Sequence, residues 1–207
     1  MKRSPDFCLE RECQYLQVAG IDEAGCGPWA GPVVAASVIF FEHDEALWQG
    51  INDSKKLTRV KRDKCYEQLI SSTQLVYGVG SASLEEIDEL NIANATCLAM
   101  ERAVLALPIR PEYALIDGIR KPKINIPLSL VVKGDSLSLS IAAASIIAKV
   151  TRDRIMTEIG EKYPEYGWSK NAGYGTALHH NALKCYGVTP HHRRSFAPIR
   201  QLLNEAA

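Results

Sequence analysis

The 207-residue chain carries no net charge: 24 Lys and Arg balance 24 Asp and Glu. That balance argues against a generic polyanion binder, which works through an excess of positive charge. No apolar run approaches the roughly 18 residues of a membrane span, so no membrane partner is expected. The N-terminal "MKRSPDFCLERECQYLQ" lacks the apolar centre of a secretory signal, which points to a cytoplasmic setting. Cys8, Cys13, Cys26, Cys65, Cys97 and Cys185 form no C-x-x-C pair and no regular framework. They read as reduced thiols, without the spacing of a structural zinc site. The G-x-x-x-x-G-K-[ST] pattern is missing, which disfavours a P-loop nucleotide hydrolase. No heptad seam or exposed apolar helix asks for a partner chain, so a monomer is expected.

What is present describes a globular α/β domain. At 46% hydrophobic and 23% charged, the chain is ordinary for a protein with a sizeable core. "LQVAGID" reads as a strand ending at acids, and "PVVAASVIFF" as a second strand after a glycine-rich turn. Thr58 is placed to cap a helix running to about Ser72, and "QLVYGVGSAS" reads as a strand. "SLEE", from Ser83 to Glu86, is a capping-box pattern opening a helical region to about Leu107. "EYALIDG" is a strand ending in Asp117, and "LSLVVKGD" one ending near Asp135. A long helix from about Ser138 to Glu161 precedes a loop-rich, helix-containing tail. Strands alternating with helices after a glycine-linked strand pair predict a mixed sheet flanked by helices. The boundary falls between a core at 1–161 and a small helical C-terminal extension at 162–207.

Charge is segregated although its sum is zero. No Asp or Glu occurs from Tyr166 to Asn204, against Lys170, Lys184, Arg193, Arg194 and Arg200. "SKKLTRVKR" and the stretch holding Arg120, Lys121, Lys123 and Lys133 are further basic segments. Either they are solvated helix faces, or they build one positive surface on a neutral protein. Three predicted strands end in acid, at Asp22-Glu23, Asp117 and Asp135. In open α/β sheets, ligands bind in the crevice outside the strand ends. Carboxylates converging there repel and are costly to desolvate unless cations neutralise them. Hard cations such as magnesium take carboxylates, waters and substrate phosphate. With basic segments alongside, the pattern points to phosphodiester chemistry.

The turn "GCGPWAG" holds Gly25 and Gly27, which allow close approach of a ligand to backbone N–H groups; a tight link between two strands explains it equally. "SIAAASIIAKVTRDRI" puts Ile141, Ser145, Lys149 and Arg152 on one helix face, where the small alanines suit close packing on the sheet. Ser145, Lys149, Arg152 and Asp153 are candidates to lie near the acids. The pairs His179-His180 and His191-His192 read as exposed or phosphate-facing, with a metal site or general base as the alternative.

The ordered series "GIDEAGCGPWAGPVVAA", "NDSKKLT", "IDELNI", "LIDG", "VVKGDSLSLSIAAASIIAKVTRD", "NAGYGTALH" and "HHRRSFAP" resembles the motifs of ribonuclease HII. The resemblance runs from about Val18 to Pro198. It implies a ribonuclease H-like fold with a small, mostly helical C-terminal extension. It also implies endonucleolytic cleavage of RNA in RNA–DNA hybrids, and 5′ to single ribonucleotides in duplex DNA, leaving 3′-hydroxyl and 5′-phosphate ends. Ribonucleotide repair and primer removal are the duties it implies, with Mn2+ or Mg2+ as cofactor.

Carried over by this resemblance, Asp22, Glu23, Asp117 and Asp135 match the metal-binding catalytic acids. Gly25, Cys26 and Gly27 match a glycine–basic–glycine motif whose main chain contacts the ribose 2′-OH, the group that separates RNA from DNA. Tyr174 matches a tyrosine packed on the sugar at the RNA–DNA junction. Lys55, Lys56, Ser145, Lys149, Arg193 and Ser195 fall in motifs expected to hold phosphates. Cys26 departs from the pattern, which carries Arg or Lys there. Should that cation contact phosphate, its loss weakens binding by up to about 1–3 kcal/mol; should backbone amides do the work, the side chain is secondary. A DNA nuclease or junction resolvase of similar fold, and a non-catalytic nucleic-acid binder, are the competing readings. Cleavage of all-DNA duplex would favour the first, and metal-independent binding without cleavage the second.

Overall fold

Every residue from Val33 to Phe40 is buried, which requires cover on both faces of that strand. The computed structural model, which describes residues 4–205, supplies it. The strands are β1 Val18–Ala24, β2 Val33–Phe40, β3 Leu75–Ala82, β4 Tyr113–Asp117 and β5 Leu128–Val131. They form one sheet in the order β3-β2-β1-β4-β5. β2 pairs antiparallel with both β1 and β3, while β4 lies parallel to β1 and β5 parallel to β4. This is the expected mixed sheet.

The helices are α1 Cys8–Glu12, α2 Arg59–Ser71, α3 Leu84–Leu105, α4 Leu139–Lys162, α5 Trp168–Asn171, α6 Ala177–Tyr186 and α7 Ala197–Glu205. α3 covers one face of the sheet and α4 the other, with α2 packed on α4. The caps at Thr58 and Ser83 fall where the sequence places them, and Ser138 caps the long helix that the sequence starts there. Thr58 and Ser138 accept from the N–H groups of Lys61 and Ile141, and Ser83 forms a reciprocal capping box with Glu86. α3 is broken at Asn91, whose φ is +66°. The Asn91 side chain accepts from the N–H groups of Ala93 and Asn94 and so restarts the helix.

Alternation along β1 and β2 sorts the core into two layers. Ile21, Val33 and Ala35 pack with Ile87, Ala99, Met100 and Ala103 on the α3 side. Ala36, Val38 and Phe40 pack with Ala143, Ile146, Ile147 and Val150 on the α4 side. Each fully buried Ile on α4 contributes about 1.5–3 kcal/mol, and truncating Ile146 to Ala costs about 2–5. α4 also sits very close to the sheet. A Cβ on Gly20 would lie 2.2 Å from the Ser140 carbonyl carbon, so any side chain there would push the helix off β1.

β5 stops at Val131, short of the strand end expected near Asp135. Lys133 turns left-handed at φ +59°, and Gly134–Ser136 form a single 3-10 turn. Asp117 holds that turn by accepting from the Gly134 N–H at 2.7 Å. The tail after α4 packs Tyr166, Trp168, Leu183 and Ile199 against Met156 of α4 and Ala30 of the β1–β2 turn. It therefore shares its apolar core with the glycine-rich segment.

Candidate active site

Parallel pairing of β1 with β4 runs to Ile21 opposite Ile116. One step further, Asp22, paired with Ala36, and Asp117, paired with Val131, come at the ends of that ladder on neighbouring strands. The 3-10 turn brings Asp135 to them, and carboxylate oxygens of Asp22, Asp117 and Asp135 all lie within 4.8 Å of one another. Asp22 is 3% exposed and Asp135 6%. Burial, then the Glu23 and Asp117 carboxylates, push the Asp22 carboxyl well above the usual carboxylate range. Burial, then Asp53 and Asp117, raise Asp135. Lys55 reaches Asp135 at 4.0 Å, but the ammonium is largely exposed. Burial works against its charge, yet Asp22, Asp135, Asp53 and Asp117 hold the Lys55 pKa above its ordinary value.

Three buried or half-buried oxygen donors, mutually repelling and short of cations, fit a hard divalent ion in both donor type and spacing. Glu23 stands apart from that trio because neighbouring residues on a strand face opposite ways. Asp22 faces α4, on the side of Ser145. Glu23 faces α3, with Arg120 Nη1 at 3.3 Å from its Oε1. Burial raises the Glu23 carboxyl, and the Cys26 thiol and Arg120 partly offset this. Even so, Glu23 still feels the Asp117 charge.

A crevice of about 240 Å³ opens beside the acids, lined by the Glu23–Gly27 segment, Ser54, Lys55, Lys149, Arg152 and Tyr174. Tyr174, 48% exposed, lies beside Gly27 in its wall. A larger cavity of about 540 Å³ lies under the end of α3 among Val104, Leu107, Ile124 and Ile126, away from the carboxylates. Its mostly apolar wall suits no phosphate.

The other expected binding residues divide sharply. Lys55 lines the crevice, and Lys149 lines it while paired to Asp153 at 2.6 Å. Lys56 donates to Ser136 Oγ at 2.7 Å, tying its loop to the turn that carries Asp135. Three of the expected phosphate holders are engaged within the protein. Ser145 is buried and donates to Ser54 Oγ at 2.8 Å. Ser195 gives both its N–H and its hydroxyl to Asp88. Arg193 is fully buried, and its guanidinium donates to the carbonyls of Gly25, Cys26, Gly31 and Pro32.

The expectation for the histidine pairs holds for the exposed His180 but needs correction for one member of each pair. His179 and His192 are buried and bond to each other, Nε2 to Nε2, at 2.9 Å. Burial among Tyr166, Trp168 and Trp29 outweighed the basic composition of the tail.

Cys26 turns away from the crevice. Its Sγ lies 3.3 Å from Thr96 Oγ1 and 3.4 Å from Glu23 Oε1. Burial, then the Glu23 carboxylate, pushes the thiol up to about 11.

Sequence reading gave no role to Asp53, Arg120 or Thr96, and it left Arg152 without a task. Asp53 accepts from the Lys55 N–H at 2.9 Å and so shapes the loop presenting that lysine. Its signal was the turn-forming run Asn52-Asp53-Ser54. Arg120 and Thr96 carry no local signal, since only the fold brings them to Glu23 and Cys26.

Residues 19–199 match the sequence model of the family described as Ribonuclease HII. A ribonuclease HII of Gluconobacter oxydans (strain 621H) is 52% identical over 204 residues, covering 98% of both chains. One from Wolbachia sp. subsp. Drosophila simulans (strain wRi) is 51% identical over 199 residues, covering 96% of this chain and 98% of the relative. Among solved structures, the ribonuclease H2 from Pyrococcus horikoshii OT3 superposes with a TM-score of 0.77 at 30% identity, covering 91% of this chain and 98% of that one. Bst-RNase HIII, solved in complex with Mn2+, shares the fold with a TM-score of 0.75 at 20% identity, over 98% of this chain and 74% of that one. With its five-stranded mixed sheet and acidic crevice, the chain belongs to the ribonuclease HII family of endoribonucleases with the ribonuclease H-like fold.

Proposed function

We propose that the chain cuts the RNA strand of RNA–DNA hybrids, and cuts 5′ to single ribonucleotides embedded in duplex DNA, leaving 3′-hydroxyl and 5′-phosphate ends. The observation that carries this reading is the approach of Asp22, Asp117 and Asp135 within 4.8 Å beside a crevice floored by the glycine-rich turn. Asp22, Asp117 and Asp135 would hold divalent cations, Mg2+ or Mn2+, with Glu23 completing the acidic set from the α3 side. A bound cation would neutralise charge developing on the phosphate and lower the pKa of the attacking water.

The remaining roles fall to this chain's own groups. Lys55, beside Asp135, and Lys149, in the same crevice, are placed to attract the phosphodiester backbone. Lys56 steadies the Asp135 turn through Ser136. Gly27 and Tyr174 lie side by side in the crevice wall, a Cβ built on the glycine falling 3.5 Å from the tyrosine ring, so the turn and the tyrosine would read the ribose together. The segment 162–207, which carries Tyr174, would share in substrate binding alongside the catalytic segment 1–161. A single chain in the cytoplasm, serving ribonucleotide repair and primer removal, completes the reading. Among the described residues, no helix is long and apolar enough to cross a membrane.

The test is an end-labelled duplex carrying one ribonucleotide, beside its all-DNA twin, with Mg2+, Mn2+ or chelator. A single metal-dependent cut 5′ to the ribonucleotide, absent from the twin, is the expected result. Cutting of the all-DNA twin would overturn the substrate assignment in favour of a DNA nuclease.

A further inference from the structure

Two arginines lie buried beneath the glycine-rich turn, with only main-chain carbonyls as hydrogen-bond partners. Arg152 is 1% exposed and donates to the carbonyls of Pro32, Ala172 and Ala30 at 2.9–3.0 Å. Arg193 is 0% exposed and donates to Gly31 at 2.9 Å, Cys26 at 3.1 Å, Gly25 at 2.6 Å and Pro32 at 3.2 Å. Neither guanidinium forms an ion pair with a carboxylate among the described residues. Burying a charge in this way is costly, and carbonyl dipoles alone offset only part of it. A purely structural clamp does not need two cations, since neutral donors also hold carbonyls.

The bonds to Gly25 and Cys26 have a geometric consequence. In a planar trans peptide, the C=O of one residue and the N–H of the next point in opposite directions. Arg193 draws the Gly25 and Cys26 carbonyls inward, so the N–H groups of Cys26 and Gly27 turn away from it. Neither N–H has an acceptor among the described residues. Both residues line the crevice, as does Tyr174. The Cys26 side chain meanwhile points at Thr96 and Glu23 and offers the crevice no cation.

We propose that Arg193, which shares the Pro32 carbonyl with Arg152, is a positioning residue that aims the Cys26 and Gly27 amides at the ribose 2′-oxygen. This rests on the reading above, in which the turn meets the ribose. Arg193 touches no substrate atom; it acts through two peptide planes. The clamp suits a guanidinium, because a lysine at 193 keeps the charge but has only three donors on one nitrogen to cover four carbonyls.

The experiment measures binding by fluorescence anisotropy in chelator, so that nothing is cut. Duplex with one ribonucleotide is compared with its all-DNA twin, for the wild-type chain, Arg193→Lys and Arg193→Met. Thermal melting of each variant shows that the protein bound is folded. The wild type is expected to prefer the ribonucleotide duplex. Arg193→Lys is expected to lose that preference at least about fivefold, with all-DNA binding within about twofold of wild type. Arg193→Met is expected to lose the preference and also bind both duplexes more weakly. A merely structural role would weaken both duplexes by the same factor in Arg193→Lys and leave the ratio intact, which would overturn the proposal. If the wild type itself shows no preference, the reading of the turn as the ribose contact fails, and the role of Arg193 falls with it.

Discussion

The imidazoles of His179 and His192 meet Nε2 to Nε2 at 2.9 Å, and their surroundings settle which nitrogen carries the proton. His192 Nδ1 accepts from the Thr189 N–H at 2.9 Å, so its proton sits on Nε2 and is donated to His179. His179 then accepts at Nε2, also from Trp168 Nε1–H, and donates from Nδ1 to the Tyr174 carbonyl. Both rings are neutral, and together they connect the Thr189 turn to the backbone of Tyr174. Protonating either ring would set two N–H donors against each other.

Acid should therefore loosen the tail. Burial, then the neighbouring His179, lowers His192 from 6.5 to about 3. The unfolded chain takes up this proton near pH 6.5 and the folded chain only near 3, so the folded state binds fewer protons between those values. Stability then falls on acidification, by up to about 1.4 kcal/mol per pH unit from this group. Urea denaturation from pH 7 to 4 measures the slope. His192→Ala should cost about 1–3 kcal/mol at pH 7, through the unpartnered Thr189 N–H, but show a shallower acid slope. Parallel slopes for variant and wild type would refute the buried neutral pair.

Asp22→Asn should separate activity from stability. The raised Asp22 carboxyl means that its ionised form opposes folding at neutral pH while no cation is bound. Removing the charge should leave the melting temperature of the metal-free protein unchanged or higher. Cleavage of a ribonucleotide-containing duplex should nonetheless drop by more than about 100-fold, beyond the 10–100-fold typical of residues that only orient metal ligands. Wild-type protein should also gain about 2.7 kcal/mol at a cation concentration a hundred times Kd, and Asp135→Asn should gain much less. Undiminished turnover in Asp22→Asn would remove that carboxylate from the reaction.

Asp22 and Asp117 were legible in the sequence because strand ends and their acids are local features. The caps at Thr58 and Ser83 were legible for the same reason, each being a short side chain placed three residues before the N–H it receives. Asp135 was correctly grouped with the acids but wrongly put on a strand. The left-handed turn at Lys133 and the Asp117–Gly134 bond form only once β4 and β5 are paired. The burial of Arg193, His179 and His192 was not legible. Composition counts a basic tail as solvated, whereas carbonyls from a segment about 160 residues away bury this arginine. Partners at that distance leave no periodic trace at position 193.

Gly25→Ala should be far more damaging than Gly118→Ala, although both glycines have positive φ. Gly25 sits at φ +100° with a built Cβ 2.0 Å from Arg152 Nε, whereas Gly118 at φ +82° has nothing within 4 Å. Gly118→Ala should cost about 1 kcal/mol of backbone strain. Gly25→Ala adds the loss of at least one buried guanidinium bond, for a total of about 2–5 kcal/mol. Equal losses in denaturant melts of the two variants would show that Arg152 yields freely and does not brace the turn.

Thiol labelling tests where position 26 points. A thiol pushed up to about 11 leaves about one molecule in a thousand as reactive thiolate at pH 8. Cys185 is exposed and serves as the internal reference. With iodoacetamide at pH 8, Cys185 should be alkylated at least about 100 times faster than Cys26, read by peptide mass spectrometry. Denaturant should equalise the two. Rapid modification of Cys26 in the folded protein would mean that the thiol faces the crevice, not Thr96 and Glu23. The side chain would then be available for a direct contact with substrate. Slow modification places the side chain out of reach. Any substrate contact at this position then comes from the peptide backbone, which Cys26→Ala would leave unchanged.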